Sequence, residues 1–242
     1  MPTGRELPPE KGLITDVQPG KANALEFSFP WFVSYKFFNS LFLGLSIGSV
    51  FTLYAPLDPK TFSAGGIGLA VATLLIATQY HRLFTRLWFF RLSVLVEAAI
   101  LSGVIAVLIM ESGQSLALFV YLGYQLSFAF GSYLVRFETL LISGGEQLKT
   151  LDIAKQAAYL LGMGLAWGIY RLLETYWSVA DADAQVKALY GVLLFVEACV
   201  LFTLVKSFPN RSKRVSVTTS MDGSIDFEAQ DLERTTATGG ES

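Results

Sequence analysis

The apolar run Leu92 to Met110 carries one charged residue, Glu97, and the last apolar run of the chain, Val186 to Val205, carries Glu197 near its middle. Runs of this length suit a bilayer, and an ionisable side chain deep inside one is costly enough to count as a functional candidate. A carboxyl in low dielectric can take up and release a proton or meet a polar solute, so Glu97 and Glu197 are candidates for substrate or ion binding. The plainer reading is a hydrogen-bonded Glu that fixes helix packing. Two amides, Asn39 and Gln125, lie in the first and fourth apolar runs. Arg136 and Glu138 close the fourth run and are candidates for a gating or packing pair at the inner surface; residues two apart do not face each other on a helix, so each needs another partner.

Other chemistry is excluded more simply. One Cys (Cys199) and one His (His81) rule out a disulfide framework and a zinc site built from Cys and His. His81 lies in a basic connection, neither opposite a serine nor among acidic ligands, which argues against an intramembrane serine or metal protease. No enzyme, metal or cofactor is expected. The glycine-rich runs sit inside apolar stretches as packing faces, not phosphate loops. The basic segment Lys206 to Arg214 suits anionic lipid better than nucleic acid.

The elements that must position these residues follow from hydropathy. The chain has 242 residues, 52% hydrophobic and 16% charged, where a soluble domain carries nearer a quarter charged. Six spans are expected: about Trp31 to Tyr54, Ser63 to Tyr80, Trp88 to Met110, Leu116 to Val135, Ile153 to Leu173 and Val186 to Val205. A flexible cytoplasmic arm occupies 1–30, the membrane domain 31–206, and a disordered cytoplasmic tail 207–242. Trp31 and Tyr35 are expected at the interface, with Lys36 snorkelling back to the near surface. The arm lacks an apolar segment after its basic residues, so a cleaved signal peptide is not expected.

Lys/Arg placement sets the orientation. With the N-terminus inside, the arm, the 2–3 and 4–5 connections and the tail collect all of the 18 Lys and Arg except Lys60, Arg171 and Lys187. Both termini are therefore expected in the cytoplasm and the protein in the cytoplasmic membrane.

The chain also repeats itself. Leu95-Val96-Glu97-Ala98-Ala99-Ile100-Leu101 matches Phe195-Val196-Glu197-Ala198-Cys199-Val200-Leu201, and Gly66-Ile67-Gly68-Leu69-Ala70 matches Gly162-Met163-Gly164-Leu165-Ala166. One three-helix unit is written twice, at 31–110 and 115–206. Because three is odd, the copies enter from opposite sides, the inverted-topology arrangement of secondary transporters. Each Glu then lies about nine residues from the inner end of its span, roughly 13 Å deep at 1.5 Å per residue.

The stretch Phe38-Asn39-Ser40-Leu41-Phe42-Leu43-Gly44-Leu45-Ser46-Ile47-Gly48-Ser49, the opening Gly65-Gly66-Ile67-Gly68-Leu69, and Phe137-Glu138-Thr139-Leu140-Leu141 through Ala154-Lys155-Gln156-Ala157-Ala158-Tyr159-Leu160-Leu161-Gly162 together resemble one six-helix half of a major facilitator superfamily transporter. The resemblance covers about residues 30 to 206. It implies an all-α membrane fold of two inverted three-helix repeats, and alternating access by a pair of such halves. It implies that the first helix of each triplet lines the cavity, which makes Asn39 and Gln125 rivals to the glutamates. The third helix of each triplet should lie towards the outside. The family's G-x-x-x-D-x-x-G-R-[KR] motif falls at Thr78 to Arg91, which keeps basic charge but has neither the Asp nor the glycines. The second half is absent, so a homodimer is expected to carry a small solute or proton; a non-transporting scaffold or accessory subunit is the alternative.

Overall fold

The computed structural model describes residues 27–142 and 144–209, so the expected arm (1–30) and tail (207–242) lie largely outside the described residues. The described chain is helical throughout: α1 (Phe29–Tyr54), α2 (Pro59–Thr78), α3 (Tyr80–Leu83), α4 (Arg86–Ile109), α5 (Gln114–Leu141), α6 (Gly145–Trp177) and α7 (Ala182–Ser207). Five of them, α1, α2, α4, α5 and α7, are long and apolar enough to cross a membrane. The chain is thus a multi-pass, membrane-embedded helical protein. The sixth expected span falls within α6, whose Asp152 and Lys155 at one end and Arg171 and Glu174 at the other leave a less apolar helix.

The connection expected over Thr139 to Thr150 is far shorter. Helix α5 runs to Leu141 and α6 begins at Gly145, because the polar turn that looks like a loop continues as an amphipathic helix. Its exposed face carries the Glu146–Lys149 pair, three residues apart, where helix side chains meet.

Within each half of the chain the long helices scarcely touch one another. Helix α1 packs most closely on α6 and α7, α4 on α5 and α7, and α2 on α5. The halves of the chain are interlaced, each helix finding its apolar partners in the other half. The tightest approach is between α1 and α6, where Gly44 and Gly162 face each other. A Cβ on Gly44 would run into the Tyr159 carbonyl, and one on Gly162 would come within 2.9 Å of the Leu45 nitrogen. Such backbone proximity is what small residues permit between helices in lipid. In the glycine-rich half of α2 only Gly65 is approached closely, by the Tyr121 side chain of α5. No residue of α2 is buried, and Gly66 and Gly68 meet open space.

Aromatic layers close both ends of the bundle. Near the start of α1, Phe32, Phe89, Phe137 and Phe208 pack ring to ring, and Tyr133 stacks beside Phe137 and Phe84. The Tyr133 hydroxyl donates to the Leu83 carbonyl at 2.7 Å, tying α5 to the short α3 turn. At the other end Tyr54, Phe62 and Tyr121 meet edge to face, with Tyr124 against Tyr54. These pairs add about 0.5–1.5 kcal/mol each beyond the area they bury.

The glycine contact generates a direct test. Gly44→Val or Gly162→Val forces α1 and α6 apart, and overpacking of this kind costs about 1–3 kcal/mol or more. Both variants are expected to lower the melting temperature of the detergent-purified protein, while Gly66→Val leaves it nearly unchanged; equal effects at all three positions would contradict the packing.

Candidate functional site

Helix α1 presents three consecutive-turn polar residues to the interior: Tyr35, Lys36 and Asn39. Tyr35 and Asn39 are four apart and therefore stack on one face. The Tyr35 hydroxyl donates to Glu97 Oε1 at 2.8 Å and the Asn39 side-chain amide donates to the same oxygen at 3.0 Å. Glu97 on α4 and Glu197 on α7 are each 1% exposed. The helices that carry them, α4 and α7, pack directly on each other. The glutamates of both repeated tripeptides are thus turned into the bundle.

Among the described residues, Glu97 Oε2, both carboxyl oxygens of Glu197 and the Ser93 hydroxyl have no hydrogen-bond partner. Ser93 is one helical turn before Glu97, fully buried and beside the Tyr35 hydroxyl. On the far side, Tyr124 from α5 approaches Glu197, Ser46 and Tyr190. A void of about 10 Å³ adjoins this region, lined by Phe42, Gly103, Val120, Gly123, Tyr124 and Tyr190.

A second polar cluster lies towards the start of α1. Lys36 Nζ sits 2.6 Å from Glu138 Oε2, and Lys155 Nζ sits 3.1 Å from Glu138 Oε1. Lys155 also reaches Asp152 at 3.6 Å. Glu138 therefore bridges α1 and α6 from α5. The Lys36 ammonium lies 5.2 Å from the centroid of the ring of Tyr35, whose hydroxyl donates to Glu97. The two clusters form one polar thread.

Several expectations from the sequence are corrected by this geometry. Lys36 does not snorkel; it is 8% exposed, because a buried carboxylate one helix away offers it a better partner than the distant surface. Tyr35 is not an interface aromatic but a buried donor to Glu97. Arg136 is exposed and has no ion-pair partner among the described residues, so it takes no part with Glu138. The glutamates of α4 and α7, helices expected towards the outside, are not turned outward: both carboxyls are buried. Asn39 is brought to Glu97, whereas Gln125 stands apart. It lines a groove of about 660 Å³ between α2 and α5, with Ala64, Gly65, Gly68, Ala72 and Tyr121.

Sequence reasoning missed Tyr35, Ser93, Tyr124, Tyr190 and Lys155 as members of the site. The four-residue spacing of Tyr35 and Asn39, and of Ser93 and Glu97, was the available signal. Nothing local marks Tyr190. Compared with known protein families, curated proteins and solved structures, the chain matches none.

The buried ion pair is open to measurement. Removing one partner strands the other charge in a low-dielectric interior, which costs about 3–5 kcal/mol. Glu138→Gln or Lys36→Met is expected to destabilise the purified protein strongly, and the combined Lys36→Met, Glu138→Met variant to recover most of the loss. Thermal unfolding in detergent reads both; a double variant as unstable as the worse single one would show that the pair is not what Lys36 is held for.

Proposed function

We propose that this chain is a half-size secondary carrier of a small solute, built from two inverted three-helix units and acting as a homodimer. The observation that carries the reading is the burial of both Glu97 and Glu197 in the interior with carboxyl oxygens left unpartnered. A purely structural core has no use for such groups, which cost stability unless something binds them.

The pattern of helix packing supports the inverted repeat. Exchanging α1 with α5, α2 with α6 and α4 with α7 converts the α1–α6 contact into α5–α2 and the α1–α7 contact into α5–α4. The same exchange leaves α1–α5 and α4–α7 as they are, and all six are contacts of this bundle. In that scheme α6 is the sixth crossing despite its charged ends, and Glu97 and Glu197 are equivalent residues related by the internal two-fold axis. The cytoplasmic end is the one holding Lys36, Glu138 and Lys155, where the Lys/Arg bias puts both termini.

The need for a dimer comes from space. The void beside Tyr124 and Tyr190 is about 10 Å³, at the lower limit for a single water and too small for a solute. A solute path therefore has to lie between copies. Helices α2 and α6 leave the most surface for this, with no buried residue on α2 and only Leu151, Ala158, Gly162 and Ala166 on α6. Gln125, which lines the open α2–α5 groove, is the candidate contact to solute, while Asn39 is engaged with Glu97.

A second reading has an observation in its favour. Tyr35, Asn39 and Lys36 are all spent on carboxyls inside one copy, as a packed scaffold or accessory subunit would spend them. Two measurements separate the readings. In proteoliposomes the carrier supports solute uptake driven by an imposed proton gradient, reduced about 10²-fold or more by Glu97→Gln or Glu197→Gln. In a Cys199→Ser background, Ala72→Cys is expected to yield an oxidative dimer. A stable complex with other membrane proteins, without flux across a broad solute panel and without dimer, would leave the accessory role.

A further inference from the structure

We infer that the face of the bundle made by α4, α7 and α1 binds anionic phospholipid headgroups at the end carrying Trp88, Phe202 and Trp31, with Arg91 and Lys206 meeting the phosphate. Such a site is independent of the carrier role and needs only a membrane-embedded chain.

Arg91 stands where an arginine is costly. On α4, Leu87 and Leu95, one turn to either side of it, are exposed, while Phe89, Leu92, Ser93 and Val96 are buried. Exposed Arg91 therefore lies on the outward stripe of a helix long and apolar enough to cross a membrane. A guanidinium cannot shed its charge there, so it has to meet an anion or reach water. Its central carbon lies 5.7 Å from the centroid of the Trp88 ring, three residues nearer the helix start, so the side chain bends towards that end. Among the described residues Arg91 has no carboxylate partner, every ion pair being made by other cations.

Helix α7 repeats the arrangement alongside. Lys206, exposed in its last turn and likewise without a carboxylate partner among the described residues, holds Nζ 5.7 Å from the centroid of the Phe202 ring. Trp31, from the start of α1, meets that ring edge to face at 6.0 Å. Phe208, two residues beyond Lys206, packs against Phe89 and Phe90 at 5.7 and 5.6 Å, which sets the end of α7 beside the start of α4. Trp31, Trp88 and Phe202 are all exposed, and outward aromatic rings of this kind sit at headgroup level. No carboxylate competes on this face. Helix α1 has none, Glu97 and Glu197 are buried, and Asp183 lies in the first turn of α7, at the opposite end. Two outward cations over aromatic rings complement a phosphate diester of net negative charge. A zwitterionic headgroup brings its own ammonium, which both cations repel. A soluble acidic peptide would satisfy the cations and leave the exposed rings uncovered, whereas a lipid meets both.

Native mass spectrometry of the full-length protein, in detergent micelles holding equimolar phosphatidylglycerol and phosphatidylcholine, tests this without any assay of flux. The wild type is expected to retain phosphatidylglycerol in preference. Arg91→Gln and Lys206→Gln are each expected to lower that preference about fivefold, and the double variant to abolish it. Arg91→Lys keeps the charge and is expected to keep most of the preference. Lys60→Gln, which removes an exposed lysine paired with Asp58 at the opposite end, is expected to change nothing. Because Arg91 and Lys206 are exposed, each variant is expected to unfold at the wild-type temperature, which separates lost binding from lost fold. Equal retention of the two lipids by the wild type, or a preference that survives the double variant, overturns the inference. An equal loss in Lys60→Gln would make the attraction a diffuse one and overturns it too. A zero-length carbodiimide cross-link from Lys206 to Asp222, Asp226 or Glu228, or to a second copy, would put protein on this face in place of lipid, with the same consequence.

Discussion

Tyr35, Lys36 and Asn39 occupy little more than one turn of α1, and they partner two carboxyls that come from opposite halves of the chain. In lipid there is no water to take up a polar group left over, so a carboxyl inside the bundle has to be met by protein. That constraint places α1 between α4, α5 and α6, because Glu97, Glu138 and Lys155 sit on those helices. Helix α1 is the hub of the molecule for an electrostatic reason as well as a packing one.

The interlaced packing follows from the same hub. With α1 bound to α6 and α7, and α5 bound to α2 and α4, neither three-helix half has a core of its own. Each half buries its apolar faces only when the other is present, so the chain folds as one cooperative unit over its described residues. The Gly44–Gly162 approach locks one side of this arrangement at backbone distance. The α2–α5 contact is less extensive and leaves the groove at Gln125.

How much could be read from the residues varies with the range of the interaction involved. Long apolar runs interrupted by short polar turns mark α1, α2, α4, α5 and α7 within a few residues, since bilayer thickness and helical rise dictate both length and composition. The polar stretch around Glu146 and Lys149 reads as a loop because an exposed helical turn and a loop share a composition; the continuation of α6 depends on hydrogen bonds that composition does not record. Glu97 and Glu197 stand out by type and depth. Tyr35 and Lys36 do not, as an aromatic and a lysine near a helix start suit the interface equally well.

The sequence by itself determines that this is a helical membrane protein, roughly where five of its apolar helices lie, and that two carboxyls stand within long apolar runs. Those conclusions rest on local quantities: residue hydropathy, the 1.5 Å rise of a helix and the cost of burying charge. Only the tertiary structure decides which way each polar side chain faces. Glu97 and Glu197, a hundred positions apart, are both buried in a bundle where α4 packs on α7; Glu138 finds Lys36 rather than Arg136 because helix rotation is fixed by contacts with other helices. The azimuth of a residue on a helix surrounded by lipid is undetermined until a second helix covers one side of it, and that is long-range information.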